Sequence, residues 1–337
     1  MLNGIENIVV LSGGSGNDAI LKALIDLGYS DANIRIIVNA YDDGKSTGVC
    51  REVTGTLGVS DIRKNHEKLH KMLYEGNINW PLINFYENRI DIETDYETGD
   101  ALFDREIKEF FHRLKSEDFE YRNFNVMNII YSQLYSSIGY EATNALFSDA
   151  LGMDDVVKLN SFDNMKIIAT TEKGNVITDE GDIVEWKNPD DKIIDIHFVG
   201  KSTWGLNPEA VKLINEADLI IISTGTFWSS LYPTLKYLDF YKYINDSKAK
   251  KLWVVNTNQD KDAYGVTAGE FFYHMENLGL EVTDFDILIN EEADPLLKII
   301  ASDMDPVSYV AELGNIDGRN DPELVKKALK EIYGTVR

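Results

Sequence analysis

The chain has 337 residues, 44% of them hydrophobic, a single cysteine and a formal net charge of −24, from 33 Lys and Arg against 57 Asp and Glu. So acidic a balance excludes nucleic acid and anionic membrane surfaces as partners, because both would be repelled. The lone Cys50 excludes a disulfide within the chain, and the absence of a leader-like opening or a long apolar span predicts a cytoplasmic protein.

The first predicted element is the apolar run Ile8-Val9-Val10-Leu11. It is followed by Ser12-Gly13-Gly14-Ser15-Gly16 and by a helical pattern through Ala19, Ile20, Ala23, Leu24 and Leu27. A buried strand, a glycine turn and a helix N-terminus in that order make a phosphate cradle: glycines let the backbone approach, and unpaired amides with the helix dipole favour an anion. A second apolar run, 34–38, leads into Tyr41-Asp42-Asp43-Gly44-Lys45-Ser46-Thr47-Gly48, read as a flexible glycine loop. Consecutive parallel strands open their turns on one edge of a sheet, so the cradle and the carboxylate pair should face one crevice. Ser60 or Asp61 can cap a helix through Ile62, Leu69 and Met72, which brings Asp61 and Arg63 near that crevice.

Residues 74–121 change character, being rich in aromatic residues and acids, with an amphipathic segment at 106–114 and no period-2 strand. They predict a helical insertion. Residues 125–135 and 140–151 read as two further helices that cover the sheet, so that the inserted part spans about 74–150. Residues 166–171 and 174–184 alternate like a hairpin turning at Lys173-Gly174-Asn175, and 193–199 follows as a strand. Asn207 and Pro208 start a helix that runs to 217. The opening pattern then recurs: an apolar strand at 219–222, a small-residue turn Ser223-Thr224-Gly225-Thr226, and a helix from Ser229. A strand at 252–255 ends in Asn256-Thr257-Asn258-Gln259, and Thr267 with Glu270 forms a capping box before Phe271, Met275 and Leu278. A strand at 285–289 and a helix at 321–332 close the chain. Together these elements predict a single α/β domain over 1–337. It is a Rossmann-like three-layer sandwich with a mostly parallel sheet, a helical insertion and a β-hairpin.

Four stretches carry chemistry. Residues 14–19 satisfy G-x-G-x-x-A in the right strand and helix context, but the first acids after the second strand are Asp42 and Asp43, late for holding a ribose. A phosphate site is expected, and a standard NAD site is not. Gly44-Lys45-Ser46 resembles the end of a P-loop, yet the position that needs the first glycine is Asn39, so that motif is rejected. What survives is a carboxylate pair, Asp42 and Asp43, suited to Mg2+ or to positioning a hydroxyl. His66-Glu67-Lys68-Leu69-His70 matches H-E-x-x-H, but Lys64, Lys68 and Lys71 predict a solvated helix face rather than zinc. Cys50 reads as a small buried residue. The turn at 223–226 with Ser229 and Ser230 suits either a diphosphate shared with the first loop or a helix cap with spare hydroxyls.

Taken together, the blocks resemble the family that contains 2-phospho-L-lactate transferase and the YvcK-type gluconeogenesis factors. Gly13-Gly14-Ser15-Gly16 looks like its GGTG turn, and residues 42–48 with Arg51 like its DDGGSSG loop and following arginine. Ser60-Asp61-Ile62-Arg63 with Asn65 looks like its GDxRN stretch. Residues 223–235 look like its GPGSxxTSxxPxL element, and Asn256 to Gln259 like its Asn-then-TQ strand end. The order of blocks matches over about 7–270. Lys45 and Ser60 stand where the family has glycine, and of its GHxxGN element only the final asparagine, Asn128, is kept.

The resemblance implies transfer of a phosphate-ester group from a nucleoside-diphosphate-linked donor to a hydroxyl acceptor; in the family the donor is a guanosine-linked phospholactate or its phosphoenolpyruvate relative and the acceptor a deazaflavin. It implies Asp42, Asp43 and Arg63 as catalytic residues, with Asp42 or Asp43 on Mg2+. Gly13, Gly14, Ser15, Gly16, Arg51, Asn128, Gly225, Thr226 and Ser229 would bind the nucleotide-linked ligand, whether of GDP type or a UDP-sugar. The alternative is a non-catalytic UDP-sugar-binding regulator of carbon metabolism or cell-wall synthesis. A homodimer is left open.

Overall fold

A computed structural model describes residues 1–91, 97–114, 123–298, 308–314 and 318–335. The chain opens with β1 (Ile8–Leu11), α1 (Asp18–Asp26) and β2 (Ile34–Val38), followed by α2 (Lys45–Thr54) and α3 (Ser60–Leu73). Next come α4 (Trp80–Glu87), β3 (Arg89–Asp91), α5 (Ala101–Arg113), β4 (Asn123–Asn125), α6 (Val126–Ile138), α7 (Tyr140–Ala150) and β5 (Val157–Leu159). The middle holds β6 (Lys166–Thr171), β7 (Val176–Ile177), α8 (Glu180–Glu185), β8 (Ile193–Val199) and α9 (Pro208–Glu216). After β9 (Leu219–Ile222) a π-helical turn, Phe227–Leu231, leads into α10 (Tyr232–Lys236) and α11 (Tyr241–Asp246). Last are β10 (Lys250–Val254), α12 (Ala268–Leu278), β11 (Phe285–Asn290), α13 (Pro295–Lys298), β12 (Ser308–Ala311) and α14 (Pro322–Tyr333).

Seven strands form one parallel sheet in the order β12-β11-β10-β9-β1-β2-β5. All four apolar runs expected as its centre are there, with Val10 opposite Ile36 on one side and Ile221 on the other. β1 and β9 are buried at every position because α-helices cover both faces, which is why they read as unbroken Ile, Leu and Val rather than alternating. Each such side chain contributes roughly 1.5 to 3 kcal/mol on burial. From β1 the chain steps outward through β2 to β5, whereas β9 to β12 step outward the other way, so the order reverses between β1 and β9. In open α/β sheets that reversal leaves a crevice at the carboxyl ends of the strands. A separate antiparallel sheet, β7-β6-β8, lies beside it, and β3 pairs with β4.

Several expectations need correction. Residues 45–54 are the helix α2, not a flexible loop: Val49, Cys50 and Arg51 are buried and hold it down. The hairpin exists, but its second arm stops at Ile177, because Asp179 accepts hydrogen bonds from the amides of Gly181 (2.8 Å) and Asp182 (3.3 Å) and so caps α8. The 74–121 stretch contributes a strand, β3, in addition to helices. The edge strands β5 and β12 were not anticipated, being three and four residues long. His66 and His70 are buried rather than solvated, at 0% and 4% exposure. Among the described residues no helix is long and apolar enough to cross a membrane.

Candidate functional site

The turns after β1 and β9 meet at the reversal of strand order. A Cβ on Gly16 would lie 1.9 Å from the carbonyl oxygen of Thr224, and the Thr224 hydroxyl donates to the Gly16 carbonyl, so only glycine allows these two turns to touch. The amide of Ser12 still donates to Ile37 in the sheet, but those of Gly13, Gly14, Ser15 and Gly16 have no protein acceptor among the described residues. Four unpaired donors between a strand and a helix N-terminus are the chemistry an anion requires. On the facing turn, the Gly225 amide is not available, since it donates to Asn256 Oδ1 (3.1 Å) while Asn256 Nδ2 returns a bond to the Gly225 carbonyl (2.9 Å).

These turns open on a cavity of about 340 Å³ that also takes in the first turns of α2 and α3, Asn128 of α6 and the wall of α8. Gly13 to Gly16, Asp42, Arg63, Asn128, Gly225, Thr226 and Ser229 all line it. So do residues not singled out from sequence as binding groups, chiefly Lys45, Asp61, Lys64, Arg89 and Glu180. Its charged lining is balanced, with Asp42, Asp61, Glu180 and Glu185 against Lys45, Arg63, Lys64 and Arg89. A chain of net charge −24 thus presents a cleft whose lining carries no excess of acidic over basic side chains, unlike the molecule as a whole.

Asp43 and Arg51 do not line this cavity; they hold its wall together. Arg51 Nη1 lies 3.3 Å from Asp43 Oδ1 and donates to the carbonyls of Tyr41 and Asp42 (3.2 Å each), while Nη2 donates to Asn164 Oδ1 and the Met165 carbonyl (2.6 Å each). Lys166 pairs with the other Asp43 oxygen at 3.2 Å. Arg51 therefore fixes the loop that presents Asp42 to the cleft, and the carboxylate available there is Asp42 alone of the pair.

Asp61, at the first turn of α3, is the second. Its carboxylate accepts from Asn39 Nδ2 at 3.3 Å and lies 3.7 Å from Lys64 Nζ; a Cβ on Gly14 would come within 2.4 Å of it. Burial pushes Asp61 up to about 6, against the pull of Lys64. Glu180 is the third: it is 7% exposed and has no partner among the described residues. Burial, and then the charges of Asp42 and Asp61, push it up to about 9. It stands at the head of α8, in a stretch whose alternating pattern reads as the second arm of a hairpin and so carries no sign of a cleft residue. Arg63 is anchored through Nε to Asn128 Oδ1 (2.9 Å) and through Nη1 to the Tyr86 carbonyl (2.8 Å) and Glu67 (3.2 Å); Nη2 has no protein partner among the described residues.

The hydroxyls of the second turn form a chain rather than spare caps: Ser229 donates to Thr226 (2.7 Å) and Thr226 to Ser230 (2.9 Å). Behind them the buried Asp262 accepts from the amides of Trp228 (2.9 Å) and Ser229 (3.1 Å). The histidine pair has its nitrogens engaged elsewhere. His66 Nδ1 is 2.6 Å from the Tyr131 hydroxyl, His70 Nδ1 is 2.8 Å from the Leu151 carbonyl, and His70 Nε2 accepts from the Asn79 amide at 2.9 Å. Burial pulls His66 down to about 3, so it stays neutral. Cys50 is fully buried and its thiol is pushed up to about 12, which makes it inert at neutral pH.

Among the described residues no group of three or more His, Cys, Asp or Glu is arranged to hold a metal ion unaided. Asp42 and Asp61 are the two aspartates that line the cavity, and Mg2+ in general needs only one or two protein carboxylates, completing its shell with phosphate oxygens and water.

Compared with known proteins, residues 8–302 match the family described as 2-phospho-L-lactate transferase CofD. The gluconeogenesis factor of Listeria innocua is 25% identical over 334 residues, which cover 97% of this chain and 87% of that protein. The gluconeogenesis factor of Halalkalibacterium halodurans is 24% identical over 291 residues, covering 85% and 78%. A crystal structure of a Bacillus halodurans protein superposes with a TM-score of 0.73 at 20% identity, covering 96% of this chain and 99% of that one.

Proposed function

The chain belongs to the 2-phospho-L-lactate transferase CofD family, and from that premise we propose that its cleft binds a nucleoside-diphosphate-linked small molecule and transfers its ester-bearing phosphoryl group to a hydroxyl acceptor: the acceptor oxygen, losing its proton, bonds to that phosphorus as the link between the two phosphates breaks and the nucleoside monophosphate leaves. The observation that carries this reading is the run of unpaired amides from Gly13 to Gly16, set at the reversal of strand order and facing Arg63 and the Thr226–Ser229 hydroxyls. The amides take the diphosphate oxygens. Arg63, held in place by Asn128 and Glu67, offers Nη2 to the group being transferred, and Thr226 with Ser229 closes the opposite side. Asp42 and Asp61 would hold Mg2+ together with the ligand's phosphates; when bound, the ion neutralises charge on the phosphoryl oxygens. Positioning and charge neutralisation dominate such transfers, so no strong protein nucleophile is required. Asp43 and Arg51 act one layer back, by fixing the backbone of Asp42.

A second reading is favoured by the name that the Listeria innocua and Halalkalibacterium halodurans relatives carry, gluconeogenesis factor. In it the same cleft binds a nucleotide-linked sugar without turning it over. Thermal-shift measurements with GDP, UDP-N-acetylglucosamine and NAD, with and without Mg2+, test the binding common to both. A Mg2+-dependent shift with a diphosphate nucleotide and none with NAD is expected. Free nucleotide released over time from a bound diphosphate ester then separates transfer from storage. A protein whose melting temperature moves with none of these ligands contradicts both readings.

A further inference from the structure

The carboxyl behind the second turn does not line the cleft, yet it reaches the cleft through hydroxyls. Asp262 is 2% exposed; its Oδ2 accepts from the amides of Trp228 and Ser229, while its Oδ1 is buried without a hydrogen-bond partner among the described residues. Asp260, two residues earlier, accepts from Asn256. Burial holds both carboxyls well above the ordinary carboxylate range, and for Asp260 the nearby Asp262 adds to the effect, so the pair loses its protons around neutral pH. Of the charged groups on the surrounding elements, Lys261 turns outward to Glu185 of α8, and Glu270 of α12 pairs with Lys192. His274 of α12, its ring 4.8 Å from that of Trp228, is pulled down by burial, and the π-helical turn Phe227–Leu231 carries no charged side chain.

Ser229 Oγ has two acceptors within reach, Thr226 Oγ1 at 2.7 Å and Asp262 Oδ2 at 3.4 Å, and one proton to give. The shorter contact sets the run from Ser229 to Thr226 and on to Ser230 at 2.9 Å. In that direction the Ser230 hydroxyl keeps its own hydrogen without an acceptor among the described residues. Ser230 Oγ lies over the glycine cradle, 3.1 Å from where a Cβ on Gly13 would stand, with Asp61 Oδ2 3.7 Å from the same point. An ionised Asp262 draws the Ser229 proton to itself, and the chain then runs the other way, from Ser230 through Thr226 to Ser229, leaving Ser230 a lone pair to show the cradle. Resting on the nucleotide-binding reading above, we infer that Asp262 is a positioning residue that sets the direction of this chain: protonated, it leaves Ser230 a donor to the diphosphate beside Gly13, and ionised, it makes Ser230 an acceptor that repels the diphosphate. Binding is therefore linked to proton uptake by a carboxyl that never touches the ligand. The glycine amides keep their places throughout; only hydroxyl protons turn.

The test is calorimetric titration, with Mg2+ present and from pH 6 to 8.5, of UDP-glucose and GDP-mannose, whose diphosphate diesters do not themselves titrate in that range. Asp61 and Glu180 titrate inside the cleft, so the readout is the wild-type affinity relative to that of Asp262→Asn at each pH, in which their contribution cancels. Asparagine keeps an acceptor for the two amides and cannot ionise, so this variant stays in the donor state at every pH. The ratio is expected to be near one at pH 6 and to fall about tenfold by pH 8.5, the worth of one hydrogen bond to a charged group. At pH 8 the wild type should also take up protons on binding, seen as a heat that varies with the ionisation enthalpy of the buffer, beyond any uptake by Asp262→Asn. Ser230→Ala leaves the buried carboxyl untouched and carries the test should Asp262→Asn fail to fold: it should bind about tenfold more weakly than the wild type at pH 6 and no more weakly at pH 8.5. Nucleotide bound with a ratio constant across pH, or with Ser230→Ala equally impaired at both ends, overturns the role of Asp262 and leaves the diphosphate site standing. Neither sugar nucleotide bound at any pH overturns the nucleotide-binding reading and the inference with it.

Discussion

At the scale of single residues, the two aspartates of the loop after β2 part company. Asp43 is 8% exposed at its side chain and shares charge with Arg51, which is 3% exposed, whereas Asp42 faces the cleft. Removing one member of a buried pair strands the other, at a cost of about 3 to 5 kcal/mol. Asp43→Asn is therefore expected to lower unfolding stability by about that amount in urea titration. Asp42→Asn should keep wild-type stability and weaken Mg2+-dependent nucleotide binding by about one to two decades, the worth of one charge-assisted contact. The opposite pattern would return Asp43 to the cleft. Sequence alone could not separate the two, because adjacent residues at a loop bend point in different directions, and what pins Asp43 is Arg51 on the helix that follows together with Lys166, far along the chain. The glycine turn was legible for the contrary reason: its chemistry is local, set by the strand before it and the helix after it.

At the scale of elements, what escaped the sequence is what tertiary contacts decide. Nothing in Lys45-Ser46-Thr47-Gly48 favours a helix locally; Arg51, reaching Asn164 and Met165, secures it. Likewise α8 follows a two-residue strand because Asp179 caps it, and that brief helix delivers Glu180. The 256–262 turn after β10 allows a further prediction. Burial, and for Asp260 the neighbouring Asp262, push Asp260 up to about 8, while burial pushes Asp262 up to about 7. An unfolded aspartate titrates near 3.9, so between about pH 4 and 8 these two carboxyls hold more protons in the folded chain than in the unfolded one. The stability these groups contribute is complete below about pH 4 and is lost as pH rises through their folded values. Above about pH 6.5, where the buried neutral His66 no longer contributes a slope of the opposite sign, the urea midpoint of the ligand-free protein should fall towards pH 8, and Asp260→Asn should flatten that slope. A slope unchanged in the variant would place the protons on other groups.

At the scale of the whole molecule, the parallel sheet could be read in advance because strands buried on both faces leave unbroken apolar runs, whereas its short edge strands leave almost no signal. The crevice followed from topology, since the turns after β1 and β9 must lie at one edge where the strand order reverses. Its occupant depends on charge: a molecule of net charge −24 can hold a diphosphate only where unpaired amides and a cation outweigh the acids. Self-repulsion of that charge also predicts that the melting temperature of the ligand-free protein rises with salt up to about 0.5 M, as screening shortens its reach. The most direct test of the diphosphate site is calorimetric titration of the wild-type chain and of Gly14→Val with GDP and UDP, with and without Mg2+. A side chain at position 14 would meet Asp61 at 2.4 Å and Lys64 at 2.5 Å, over the amides that should take the phosphates. Mg2+-dependent binding by the wild type, weakened by at least tenfold in Gly14→Val, is the result predicted here; equal affinity in the two proteins would contradict it and put the ligand elsewhere.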